Sequence, residues 1–280
     1  MTIKNPEVDW IPFDNLENHI AHCARICYAS TNIKNNVKFV KNLWHNKHRS
    51  MYRHAPAYYK IPMKFDLPKT AYTDCHIHLY NGIYYVSTNM QTALEYFGKY
   101  ERFKIPACEA KIDKIFIHEK MLRYTFCIET GIDITRELNR KSPNNISEQS
   151  TRYVDFNKKI GICFKKCHWM NNTNIYKTII YKTMCKVSEW FYKISRSKYG
   201  LNLPPEDARW ILPLDVMSKV AYTYTVKDWE RIINMRLYDW TGKAHPDAKI
   251  VAKEIKTILE NLGYNIINYK EEHGYKSSLV

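Results

Sequence analysis

Residues 137 to 153 read E-L-N-R-K-S-P-N-N-I-S-E-Q-S-T-R-Y, from Glu137 to Tyr153. Two carboxylates, two arginines and several hydroxyls fall in one short segment, broken by Pro143 and the turn-forming pair Asn144-Asn145. If the part after the turn is extended, Glu148, Ser150 and Arg152 lie on one side, because strand side chains alternate with period two. An acceptor, a hydroxyl and a guanidinium would then share one face. Any one of these residues fits a solvated polar loop; the spacing of the whole set points to a site.

The rest of the chain sets the bounds. At 280 residues, with 45% hydrophobic and 14% aromatic content and only 8 glycines and 11 prolines, it reads as a packed globule and excludes a disordered or repetitive chain. The expectation is one domain over 1–265, followed by a polar tail over 266–280. Forty-three basic against 28 acidic residues give +15, which calls for an anionic partner. That charge is scattered as singles and pairs such as Lys158-Lys159 and Lys165-Lys166, so a small phosphorylated ligand is favoured over nucleic acid. With no apolar signal core or bilayer-length apolar run, the expectation is a soluble, cytoplasmic protein that does not enter a membrane. Eight cysteines without a secretion signal read as reduced thiols. Cys75-His76-Ile77-His78 and Cys163-x3-Cys167-His168 lack the paired C-x2-C spacing of structural zinc, so packing is favoured and no metal site is expected.

Periodicity places the elements. Asp14-x-x-Glu17 has the form of a capping box ahead of a helix ending near Ser30, and Val37, Val40, Leu43 and Trp44 mark a second helix. Tyr58–Met63, Ile83–Ser87, Lys111–His118 and Met121–Ile128 read as strands, and Met90–Phe97 as a helix stopped by Gly98. Asp133 or Thr135 would cap a helix carrying Glu137 and Arg140. Asn174–Ser195 is a long helical pattern with Ile179, Ile180, Met184, Val187 and Phe191 expected inside. Pro204-Pro205-Glu206-Asp207 starts a helix with Arg209, and Val216–Thr225 alternates as a strand. Thr225-x-x-Asp228 caps the next helix, on which Arg236 leans toward the packed face four residues after Ile232. Ala248–Leu262 is a last helix closed by Gly263.

Arg140, Arg152, Arg209 and Arg236 thus come from four segments, and arginines on packed faces need anionic partners. Either they pair internally with Glu137, Glu148, Glu206 or Asp228, or they line a pocket for a phosphate and a polar base.

At these residues the sequence resembles the flavin-dependent thymidylate synthases. Their signature is Arg-His-Arg, five spacers, then Glu-x-Ser-x-Arg; Glu148-Gln149-Ser150-Thr151-Arg152-Tyr153 matches the second half, whereas Arg140-Lys141-Ser142 stands where the triplet is expected. The resemblance extends in order through Ala24–Ser30, Arg53-His54 with Tyr58–Pro62, Ala208-Arg209-Trp210-Ile211-Leu212-Pro213, Thr225–Arg236 and Ala244-His245-Pro246, from the first helix to about Lys249. It implies an α/β (α+β) fold with a central, mostly antiparallel sheet flanked by helices, and homotetramers with active sites at subunit interfaces. It also implies FAD as cofactor, with NADPH and methylenetetrahydrofolate as co-substrates. By the same resemblance Glu137, Arg140, Glu148, Ser150, Arg152 and Arg209 hold the nucleotide, and Arg236 polarises the pyrimidine ring. Ser30 and His54 fall near flavin and folate, and Lys141, Ser142 and Arg231 replace residues that contact FAD.

The function so implied is reductive C5 methylation of a deoxypyrimidine monophosphate, dUMP to dTMP first. Methylation or hydroxymethylation of dUMP or dCMP stands behind it, and a non-catalytic nucleotide- or nucleic-acid-binding homologue is the reading from another class. The asymmetry between the retained nucleotide set and the altered triplet is what separates these readings.

Overall fold

A computed structural model of the chain describes residues 1–30, 35–69, 74–141, 143–157, 161–171 and 175–272. In order these form β1 (Thr2–Lys4), β2 (Glu7–Ile11), α1 (Leu16–Tyr28), α2 (Asn36–His45), β3 (Pro56–Pro62), β4 (Cys75–Tyr80), β5 (Ile83–Asn89), α3 (Met90–Tyr96), β6 (Lys104–Ile105), α4 (Ala107–Ile112) and α5 (Lys114–His118). There follow β7 (Arg123–Gly131), α6 (Ile132–Leu138), β8 (Ile146–Glu148), β9 (Cys163–Lys165), α7 (Ile175–Arg196), α8 (Pro205–Ala208), β10 (Met217–Thr225), α9 (Val226–Arg236), α10 (Pro246–Asn261) and α11 (Tyr269–Glu272). This is a mixed α/β fold of antiparallel sheets flanked by helices, as expected. One sheet runs β2-β7-β10-β8 and a second β4-β5-β3-β6, while β1 and β9 pair in parallel.

The β7–β10 ribbon is the spine. Nine residue pairs, from Met217 opposite Gly131 to Thr225 opposite Arg123, hold it in one register. Its inner face buries Phe126, Ile128, Val220, Tyr222 and Tyr224 against Trp229, Ile232 and Ile233 of α9 and Val251, Ile255 and Leu259 of α10. Trp229 meets Phe126 and Tyr224 edge-on, with centroids 5.0 and 5.2 Å apart, and its indole N–H donates to the Tyr124 carbonyl. Such edge-to-face pairs add about 0.5–1.5 kcal/mol each beyond area burial. Thr225 caps α9 as its spacing predicts, its hydroxyl accepting from Asp228 N–H at 3.1 Å. That cap fixes where α9 starts and so where Arg236 ends up.

Four expectations fail locally. Gly131, not Asp133 or Thr135, is the N-cap of α6, without a side-chain cap bond, and α6 ends at Leu138, before Arg140. Asn15, not Asp14, caps α1, with its side-chain oxygen taking the Asn18 N–H. Lys111–His118 is helical: Asp113 accepts from the N–H groups of Ile115 and Phe116, and this cap outweighs the β-branched composition. The predicted long helix exists as α7, but Ile179, Ile180, Met184, Val187 and Phe191 all face outward. The face α7 buries is Cys185, Ser188, Tyr192 and Ser195, whose small residues let the helix approach the Phe156–Phe164–Val216 cluster closely. All eight cysteines are free thiols. Among the described residues no helix is long and apolar enough to cross a membrane.

Candidate functional site

The motif segment is shaped by what anchors it. After α6 the chain is pinned by fully buried Asn145, whose amide donates to the Thr223 carbonyl at 3.1 Å and to the Asp74 carboxylate. Residues 146–148 then pair with β10 as an edge strand, Glu148 opposite Val220. Ser147 donates to the Cys23 carbonyl of α1, and Ser150 N–H to that of Cys27. At Ser150 the strand is already over. Its hydroxyl oxygen accepts from the N–H groups of Arg152 and Tyr153, capping a tight turn that throws both side chains outward.

The expected common face of Glu148, Ser150 and Arg152 therefore does not form. Glu148 turns toward α6, accepting from the Thr135 hydroxyl at 3.2 Å, and burial pushes its carboxyl above the usual range. Arg152 swings out to Glu206 of α8, Nε to Oε2 at 2.5 Å, with its guanidinium 5.2 Å over the Tyr153 ring. Arg209, one residue past α8, donates to Thr151 at 3.0 Å, and among the described residues no carboxylate pairs with it. Two arginines 57 positions apart in the chain thus share one exposed surface around the Ser150 turn.

A second group forms where α6 and α9 end. Arg236 is only 8% exposed; its Nε donates to the Glu137 backbone carbonyl at 2.8 Å, and its Nη1 lies 3.2 Å from the Glu137 carboxylate. Burial lowers the Arg236 guanidinium and Glu137 opposes that shift. Exposed Arg140 lies 3.8 Å from the other Glu137 oxygen. Of the two sequence alternatives, Arg236, Arg140 and Arg152 have internal acids, and Arg209 has none among the described residues. Arg231, five residues before Arg236, is exposed and stands roughly 140° away around the helix, so it cannot share that face.

Lys141 points inward. Its Nζ sits 3.0 Å from Asp228 and 3.7 Å from Asp74, bridging two buried acids. Asp74 also pairs with fully buried Arg123, and Asp228 accepts from His76 Nε2 at 2.9 Å and from the Thr225 hydroxyl at 2.7 Å. Burial alone would raise the Asp228 carboxyl, but His76, Lys141 and Thr225 carry it well below the usual carboxylate range. The chain before β4, the β4 strand, β7 and α9 each contribute to this cluster. No local spacing announces it; the sequence offered the Thr225 cap and an arginine partner for Asp228, and a packing role for His76. Ser142 lies outside the described residues.

His54 is 0% exposed and takes part in a buried relay of hydrogen bonds. His54 Nδ1 meets the Thr223 hydroxyl at 2.9 Å, Thr223 meets Thr125 at 2.7 Å, and Thr125 meets His19 Nε2 at 2.9 Å. Burial drops His19 to about 4 and His54 to about 3. His19 also borders a cavity of about 1050 Å³ between α1 and the β2-β7-β10 face. Trp10, His22, Arg25, Ser30, Gln149 and Lys219 line it, and the Gln149 side-chain N–H₂, itself buried, has no partner. Of the two residues expected near flavin, Ser30 therefore faces an open cavity and His54 does not.

A family model described as thymidylate synthase complementing protein matches residues 118–262, from α5 to the end of α10. The chain belongs to that family. The matched span contains both arginine groups, the Ser150 turn and Lys141. A search of curated proteins finds no match. Among solved structures, the UMP/dUMP methylase PolB from Streptomyces cacaoi, bound with 5-Br dUMP, gives a TM-score of 0.47 at 12% identity, covering 94% of this chain and 93% of that one. The same protein bound with 5-Br UMP gives 0.46 at 13%, covering 94% and 92%.

Proposed function

We propose that this member of the thymidylate synthase complementing family is a methyltransferase that transfers a one-carbon unit reductively to C5 of a deoxypyrimidine monophosphate, dUMP first. The observation that carries this reading is the surface at the Ser150 turn, where Arg152 meets the one carboxylate of Glu206 and Arg209 donates to the neighbouring Thr151. A phosphate dianion suits such a surface, because guanidinium groups bind it through paired, charge-assisted hydrogen bonds. Displacing Glu206 from Arg152 costs little, since the pair is exposed.

Arg236 supplies the other half of the chemistry. Its guanidinium is held on two sides by Glu137, so its orientation is set before substrate arrives. Placed against N3 and O4 of the pyrimidine, it stabilises the enolate-like charge that makes C5 nucleophilic, an electrostatic role rather than a proton transfer. Glu137 and Arg140 hold Arg236 and the ring edge, Ser150 shapes the phosphate turn, and Glu148 braces α6 through Thr135. No cysteine lies in the motif, which agrees with a mechanism that needs no thiol attack at C6.

FAD is the proposed cofactor, with NADPH and methylenetetrahydrofolate as co-substrates. Lys141 of the altered triplet is committed to Asp228 and Asp74 and is not assigned to the flavin. The α1 cavity fits better: about 1050 Å³ compares with pockets of about 300–1,000 Å³ that enclose organic ligands. Trp10 and His22 offer ring faces, Arg25 and Lys219 positive charge, Ser30 a hydroxyl, and Gln149 an unused amide donor. When bound and reduced, the flavin supplies the hydride that turns the transferred carbon into a methyl group.

The proposed assembly is a homotetramer. The outward stripe of α7, with Ile180 63% and Met184 62% exposed, supports it, because apolar faces of this size on a lone chain mark interfaces. Purified protein reconstituted with FAD should be yellow, and dUMP should perturb the flavin spectrum. Mass analysis of products from dUMP, dCMP and UMP, with methylenetetrahydrofolate and NADPH, then separates methyl from hydroxymethyl transfer and fixes the base. Colourless protein together with unmodified nucleotides would sink the proposal.

A further inference from the structure

We propose that His168, His245 and Asp247 form a site for a divalent transition-metal ion with zinc-like ligand preferences, where the chain leaves β9 and α10 begins. Asp247 is fully buried in the first turn of α10. One oxygen, Oδ1, accepts from the backbone N–H of His168 at 2.7 Å and lies 3.1 Å from His168 Nδ1. The other lies 3.9 Å from His245 Nδ1. The two imidazoles face each other edge-on with centroids 5.5 Å apart, and one ligand atom from each of the three residues falls within 4.8 Å of the others. Donors around a tetrahedral zinc stand roughly 3.4 Å apart, given bond lengths of about 2.0–2.1 Å. His245 Nδ1 accepts from the Asp247 N–H at 3.2 Å as the cap of α10, and turning this exposed ring toward the ion would exchange that bond for the metal.

The charge balance around Asp247 independently favours a cation there. Lys165, only 1% exposed at its side chain, lies 2.6 Å from Asp133, 2.7 Å from Asp247 and 3.5 Å from Asp215. Three carboxylates thus surround one ammonium, and Asp133 Oδ1 is buried with no partner. Asp247 is buried while Asp133 and Asp215 keep 24% and 28% of their side chains exposed, so the cluster carries net negative charge that a divalent ion would offset. The other acid-rich group with a histidine, Asp74-His76-Asp228, differs in this respect: Arg123 and Lys141 already balance its two acids. Two imidazoles and a carboxylate are a donor set that zinc, iron(II) or cobalt(II) accepts, with water completing the shell. No cysteine belongs to the group, for the Cys167 thiol points to Asp215 and the Lys165 carbonyl. Bound there, the ion would tie the exit of β9 to the start of α10, partners 79 positions apart.

The test uses untagged full-length protein stripped with chelator, titrated with Zn²⁺ by calorimetry and with Co²⁺ by visible absorption. The expected result is one equivalent bound, with cobalt d–d bands and no thiolate charge transfer. His168→Ala and His245→Ala should each weaken binding by roughly 10- to 100-fold while circular dichroism stays unchanged. Both variants keep Asp247 and its contacts with Lys165 and the 168 backbone. Absence of stoichiometric binding, affinity unchanged from the parent in both variants, or charge-transfer bands that place the metal on cysteine would overturn the assignment.

Discussion

Acidification should destabilise this protein well above the pH at which its paired carboxylates titrate, and the cause is the His54–Thr223–Thr125–His19 relay. Burial leaves His19 at about 4 and His54 at about 3 in the folded chain, against about 6.5 in the unfolded one. Both folded-state values are depressed, so below 6.5 the unfolded chain binds more protons than the folded one. Stability is therefore fully present above about 6.5 and declines as pH falls toward the folded values. At pH 5 each histidine accounts for about 2 kcal/mol of lost stability, so the pair accounts for about 4, a large share of a typical domain's total. His22, lowered by burial and by Arg25, acts in the same direction. Glu148 and Glu254, raised by burial, act against it. The assay is urea unfolding at fixed protein concentration at pH 7.5 and 5.0. His54→Asn keeps a polar atom where Nδ1 stood and His19→Gln where Nε2 stood, so the double variant should lose most of the pH dependence without losing the fold. An unchanged urea midpoint in the parent between the two pH values, or a full slope in the double variant, would refute the reasoning.

Lys141→Met should cost about 3 kcal/mol by urea unfolding, the low end for breaking a buried ion pair, because Asp74 keeps Arg123 and Asp228 keeps His76. Adding Asp228→Asn should recover part of that loss, whereas strict additivity of the two changes would show that Lys141 and Asp228 are not coupled. Arg236→Lys should lower turnover by about 10²–10³ while shifting the urea midpoint little, since the ammonium can still meet Glu137; equal losses in both would make Arg236 a structural residue only. Ile180→Glu with Met184→Glu should reduce the mass measured by light scattering from tetramer to smaller species with unchanged far-UV circular dichroism, and a persisting tetramer would remove α7 from the interface.

What the sequence made legible follows the range of the forces involved. The Thr225 cap, the β10 alternation and the apolar spacing of α9 act within a few residues, and each element formed where that spacing put it. The inward lean of Arg236 followed from the same local geometry. Glu148, Ser150 and Arg152 failed to share a face because the Ser150 hydroxyl, taking the N–H groups of Arg152 and Tyr153, turns the chain just after Glu148. Asn145, which anchors the start of that strand, is held by Asp74, 71 positions away. The α7 stripe misled for a related reason: periodicity identifies an apolar face without saying whether the same chain covers it. Lys141 was placed near a cofactor by its position in the triplet, yet two acids from elsewhere in the fold claimed it.

The rewriting of the triplet is therefore not a change at one position. A lysine at 141 needs acceptors where an imidazole would not, and Asp74, just before β4, and Asp228, in the first turn of α9, supply them. Those acids in turn depend on cations: Arg123, wholly buried between Asp74 and Ser87, would be left without its acid if Asp74 were lost. The four charges balance one another and join the segment before β8 to β7 and α9, the elements that place Arg236. Lys141 is thus a brace on α9, the helix that carries Arg236. Under the proposed function the flavin is therefore assigned away from Lys141, to the cavity along α1 that Ser30 and the unpartnered Gln149 amide line.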